Sequence, residues 1–125
     1  MADDKKPAEK PEPLPGPVFI AAGEEGARMF SKDGREWTRR QTGKDGEVYS
    51  TICFGGGKCV AVGRYGGNNI SAATNDASSW LTGKHDAKYS NYIRCVVHHN
   101  NRFLGFGANF VLPSSDGVQW DAERP

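Results

Sequence analysis

No stretch of the 125-residue sequence comes near the roughly 18 consecutive apolar residues of a membrane span. The start, Met1-Ala2-Asp3-Asp4-Lys5-Lys6, also lacks the apolar run of a secretory signal, although a mature secreted chain given a new initiator Met has the same appearance. Neither sign of charge dominates: 16 Lys and Arg stand against 15 Asp and Glu, for a net charge of +1. That balance removes the electrostatic case for a nucleic-acid or anionic-lipid partner. Three cysteines cannot all pair within one chain. Cys53, Cys59, His85, His98 and His99 show none of the compact spacings of a metal site. Gly57-Lys58 and Gly83-Lys84 lack both the upstream glycine and the following Ser or Thr of a phosphate loop. No metal and no cofactor is expected.

What the sequence does have is glycine, 16 residues of it, and proline gathered at one end. Residues 1–17 hold most of the 7 prolines, alternate Lys with Asp and Glu, and carry almost no large apolar side chain. Such a composition cannot form a core and reads as a solvated, extended linker. Residues 18–125 are then one domain at most.

Within that domain one pattern returns three times, at a spacing of roughly 40 residues. It begins as Ser31-Lys32-Asp33-Gly34-Arg35-Glu36-Trp37, recurs as Thr74-Asn75-Asp76-Ala77-Ser78-Ser79-Trp80, and ends as Ser114-Ser115-Asp116-Gly117-Val118-Gln119-Trp120. An Asp-Gly pair between strand-like segments reads as a two-residue hairpin turn, with Gly accepting the positive φ. That reading pairs Phe30 with Trp37 across the hairpin. Ala77 stands where Gly is expected, at a cost of about 1 kcal/mol if it keeps a positive φ.

The segments between the boxes repeat as well. Strands are predicted over Val48–Phe54, Lys58–Gly63, Asn69–Thr74 and Ser79–Thr82, then over Tyr92–Val97, Arg102–Gly107, Phe110–Ser114 and Val118–Ala122. Phe19-Ile20-Ala21-Ala22-Gly23 aligns with Cys59-Val60-Ala61-Val62-Gly63 and Phe103-Leu104-Gly105-Phe106-Gly107 as the second strand of each unit. Gly56-Gly57 and Asn100-Asn101 are turn pairs that favour positive φ. A Gly56-Gly57 turn sets Cys53 opposite Val60 and Phe54 opposite Cys59, so the two thiols fall on opposite faces. Buried free thiols are expected rather than a bridge.

Short strands repeating at this period are the mark of propeller blades. The expectation is an all-β, partial β-propeller of roughly 2.7 four-stranded antiparallel blades, with units at residues 18–40, 48–82 and 92–122. The first unit lacks its innermost strand. Either further blades complete the ring or several chains do so together.

The recurring box resembles the Asp-box, or BNR repeat, of sialidase-like β-propellers, whose usual form is Ser-x-Asp-x-Gly-x-x-Trp; these copies are one residue shorter between Asp and Gly. The resemblance implies a structural role for Ser31, Asp33, Gly34, Trp37, Thr74, Asp76, Trp80, Ser114, Asp116, Gly117 and Trp120. It also implies a secreted or periplasmic bacterial setting. It does not extend to sialidase chemistry: no Arg-Ile-Pro-type motif and no recurring inner-strand arginine cluster is present, and Arg94 alone sits near the start of an innermost strand.

In a four-stranded blade the connections from strand two to three, and from four to the next blade, share one rim. Longer loops on a rigid scaffold are where recognition usually lives. Arg64, Tyr65, Asn68 and Asn69 offer a guanidinium, an aromatic face and amides suited to sugar hydroxyls or carboxylates. His85, Asp86 and Tyr89 lie on the longer connector of the same rim. The expected function is therefore a non-catalytic scaffold that binds a glycan or a protein, completed by further blades or as a homo-oligomer. The alternative is a fragment of a sialidase-like glycoside hydrolase whose catalytic residues lie outside this chain.

Overall fold

The computed structural model describes residues 18–85, 92–108 and 110–120, and its ordered elements are all strands. The first sheet is β1 (Phe19–Ala22), β2 (Arg28–Ser31) and β3 (Thr38–Gln41). The second is β4 (Glu47–Gly55), β5 (Lys58–Tyr65), β6 (Asn68–Thr74) and β7 (Leu81–Thr82). The third is β8 (Cys95–His99), β9 (Arg102–Phe106) and β10 (Val111–Ser114). Each sheet is an antiparallel meander whose spatial order follows the chain. The architecture is a partial β-propeller of three successive blades, the first of which shows no inner strand among the described residues.

Local chemistry sets the hairpins. Gly56-Gly57 (φ 59 and 77) and Asn100-Asn101 (φ 50 and 62) both place two successive residues in the left-handed region. That is the turn whose twist matches its flanking strands, and it fixes the register. Cys53 faces Val60 and Phe54 faces Cys59, as the turn dictates. The three thiols are free, but only Cys59 is buried; Cys53 is half-buried and Cys95 exposed. The expectation of two buried thiols holds for Cys59 and only in part for Cys53, while Cys95 lies beside Phe106 on a sheet face that no further described blade covers.

The boxes correct a second expectation. Phe30 pairs with Thr38, not Trp37, so the Asp33-Gly34 box is a loop of six residues rather than a two-residue turn. The cause is side-chain competition for the backbone. Ser31 Oγ accepts from the amides of Asp33 and Gly34 at 3.2 and 2.7 Å, while Asp33 Oδ1 accepts from those of Arg35 and Glu36 at 2.8 and 3.0 Å. Amides held this way are withdrawn from cross-strand pairing. The last predicted strand, Val118–Ala122, reduces among the described residues to a bridge at Gln119, which pairs in parallel with Lys84; residues 121 and 122 lie outside them.

Two apolar layers hold the blades together. Tyr49, Ala61 and Ala72, with Ala22, Ile70 and Trp80, fill the junction of the first and second blades. Val60, Val62 and Ala73 meet Ile93, Val96, Phe103, Leu112 and Trp120 between the second and third.

The two glycine boxes should respond differently to one methyl group. Gly34 (φ +81) has only the Phe19 ring nearby, at 3.5 Å from an added Cβ, whereas at Gly117 (φ +78) that atom would lie 2.6 Å from Val60 Cγ2. Gly34→Ala is expected to cost about 1 kcal/mol, from backbone strain, and Gly117→Ala about 2 kcal/mol or more, because overpacking is added. Urea unfolding of the two variants decides this, and equal losses would refute the packing argument. Burial pushes the Cys59 thiol up to about 12 and that of Cys53 to about 11, with the neighbouring Cys95 adding to the latter. A thiol-reactive dye should therefore label Cys95 rapidly and the other two only on unfolding; three fast thiols in the native protein would contradict the structure.

Candidate binding rim

The rim is built by the central strand of the second blade. Arg64 is paired on both sides, with Val48 of β4 and Asn69 of β6, so its backbone is fixed before its side chain leaves the sheet. Its guanidinium lies over the Tyr92 ring, 5.1 Å from the centroid, and Tyr92 donates its hydroxyl proton to the Gly66 carbonyl at 3.2 Å. The Ile93 amide donates to Asn69 Oδ1 at 3.0 Å. The hairpin between β5 and β6 thus clamps the chain where it enters the third blade.

A cavity of about 290 Å³ opens at this junction, lined by Ser50, Gly63, Arg64, Tyr92, Ile93 and Arg94. Gly63 is needed there: a Cβ would fall 1.6 Å from the Val48 carbonyl oxygen, at the point where β4 bulges. Arg94 is held by its own backbone, whose amide donates to the Phe106 carbonyl at 2.7 Å. Two arginines, a serine and a tyrosine are thus among the residues lining one concavity. Planar, always-charged guanidinium forks suit carboxylates.

Of the residues expected here, Arg64 lines the cavity, while Tyr65 and Asn68 stay exposed beside it, Tyr65 with the Lys44 ammonium 5.6 Å from its ring centroid. Asn69 is buried and spends its amide oxygen on the Ile93 backbone. Asp86 and Tyr89 lie outside the described residues. His85 is turned inward: its ring stacks on Trp120 at 5.8 Å and 9°, and its Nε2 lies 2.8 Å from Ser71 Oγ. Ser71 Oγ also accepts from the Trp120 indole at 3.1 Å. Burial lowers His85 to about 4, so the ring is neutral at ordinary pH. His85 therefore wedges the second and third blades together. Ser50 joins the site unannounced, and Arg94, marked in the sequence only as an arginine near the start of an innermost strand, lines it as well, since the packing of β4 against β8 brings both beside Arg64.

The boxes lie at the blade junctions and work as staples. Each repeats the hydrogen bonds of the first: Thr74 and Ser114 accept from the amides of Ala77 and Gly117, and Asp76 and Asp116 from the amides two and three residues on. Amides of Glu36 and Arg35 hold Asp33 below the usual carboxylate range, and those of Gln119 and Val118 do so for Asp116. Burial pushes Asp76 upward, yet the Ser79 and Ser78 amides outweigh it. The preceding blade grips each later box from outside. Arg39 donates to the Asp76 carbonyl, Gln41 to that of Ser78, and Lys58 Nζ to that of Asp116 at 3.0 Å.

No protein-family model and no curated protein matches the chain. Among solved structures it is similar to one described as YCF48 bound to D1 peptide, with a TM-score of 0.68 and 19% sequence identity over 84% of this chain. The match covers 36% of that chain, so the present sequence spans little more than a third of its neighbour's length. At this identity the likeness speaks for the β-propeller fold.

The His85 wedge makes stability pH-dependent with a definite sign. In the unfolded chain the ring takes up a proton near its ordinary value of 6.5, while in the folded state it resists until about 4. Its contribution is complete above 6.5 and declines as pH falls toward 4, by about 3 kcal/mol at most. Unfolding free energies measured across this range should fall more steeply for the wild type than for His85→Gln, and parallel slopes would show that the wedge does not titrate as described.

Proposed function

We propose that this chain is a non-catalytic propeller module that binds protein, holding an acidic group of an extended segment in the cavity between Arg64 and Arg94. The observation that carries the reading is that Arg64, Arg94, Ser50 and Tyr92 line one concavity of about 290 Å³. A carboxylate there accepts charge-assisted hydrogen bonds on both oxygens, and the Tyr92 face covers the neighbouring apolar atoms. A solved neighbour of the same fold carries a bound peptide, which supports a peptide over a small metabolite as the ligand class. The carbohydrate reading rests on Tyr65 and Asn68, which stay exposed beside the cavity.

Short fluorescent peptides bearing a free C-terminal carboxylate, an internal Asp or Glu, or neither, test the proposal directly. Acidic peptides should bind, added salt should weaken them, and Arg64→Ala or Arg94→Ala should each cost about tenfold in affinity. Binding that ignores both substitutions would place the site elsewhere. Binding of a glycan panel in place of peptides, lost on Tyr65→Ala, would favour the carbohydrate reading.

A further inference from the structure

The internal repeat reveals what each blade face is built to touch. Cys53, Val60 and Ala73 form one cross-strand row of the second blade, and Val97, Leu104 and Pro113 form the same row of the third. In the second blade the row is covered by the third, and Val60 is 0% exposed. In the third blade Val97 is 37% exposed, and Cys95 beside it is exposed as well. The opposite end of the molecule shows the complementary defect. Phe103, on the leading face of the third blade, is 2% exposed, while its equivalent Phe19 in the first blade is 53% exposed.

Two of the contacts that join the second blade to the third have counterparts at the molecule's ends that, among the described residues, meet no neighbouring blade. Phe103 lies over Gly117 with Val60 packed beside them; Phe19 lies over Gly34, and the residue equivalent to Val60 is Leu104. Lys58 donates to the Asp116 carbonyl from a strand start just after a two-residue turn; Arg102 holds that position in the third blade and is exposed. The carbonyl equivalent to that of Asp116 belongs to Asp33.

We propose that the outer face of the third blade docks head to tail on the leading face of the first blade of a second copy. Leu104 seats over Phe19 and Gly34 of the partner subunit, and Arg102 donates to the carbonyl of its Asp33. The interface continues, between chains, the packing already present within one chain, which is why the partner is a second copy. Two copies bring six boxes together, inside the range of about four to eight blades of closed propellers. Two identical contacts then close around a two-fold axis. This assembly is independent of the peptide-binding reading, and either holds if the other fails.

The test is the native mass of the full chain by light scattering across a wide concentration range. The wild type should run at about twice 13.6 kDa, and Leu104→Glu and Phe19→Glu should each run at 13.6 kDa with near-ultraviolet dichroism retained. Should Leu104→Glu fail to fold, the more exposed Val97→Glu takes its place. Mixing the two monomeric variants should restore a dimer, because one of its two contacts then carries both wild-type faces. A wild type that is monomeric throughout would overturn the proposal and assign the two faces to another occupant. A dimer indifferent to both variants, or folded variants that stay monomeric when mixed, would overturn the head-to-tail geometry.

Discussion

The structure depends on one recurring contact, the seating of a box turn against the blade before it. An isolated meander of three or four short strands has two apolar faces and little to bury them against. What makes a blade stable is that its turn, stiffened by a Ser or Thr and an Asp, presents a fixed backbone surface to its neighbour. Val60 touches that surface at Gly117, and Lys58 reaches the adjacent carbonyl. The Trp that closes each later box belongs to the same contact: Trp120 is buried against the second blade, and Trp80 is partly buried against the layer shared with the first. Side-chain staple, turn and inter-blade layer are therefore one device seen at three scales.

The proposed binding rim is placed by this device. Arg64 and Arg94 belong to different blades, so their separation is set by how those blades pack. That packing is fixed by the layer around Val62, Ile93 and Trp120 and by the His85 ring laid on the indole. A loop site could adjust to its ligand; the proposed site, held between two sheets, would be largely preformed.

Much of the fold was legible in residues because it is written in local chemistry. Gly56-Gly57 and Asn100-Asn101 force their turns, and the turns force the registers that place Cys53 and Cys59 on opposite faces. The box period of roughly 40 residues identified the blade. Legibility ended where long-range packing decides. The box register slipped because Ser31 and Asp33 draw amides out of the ladder. His85 read as a loop residue, since no periodicity marks a polar side chain that is half-buried against a Trp from another blade. Asn69 read as a ligand amide for the same reason, its partner being a backbone amide in the next blade. Ser50 was invisible until β4 and β8 were side by side.

One detail of the inter-blade grip bears on how such a chain can change over time. Lys58, Arg39 and Gln41 all donate to main-chain carbonyls of the next box, and the charges of Lys58 and Arg39 also favour the ionised Asp116 and Asp76 beside them. The recognised group is thus common to every amino acid, and a donor may be Lys, Arg or Gln provided that it is long enough. The second box carries Ala77 where the other two carry glycine, at φ 63 with the turn intact. Individual blades can drift apart in sequence while the lattice of contacts between them stays the same, and so a duplicated unit can acquire a new rim without surrendering its place in the ring.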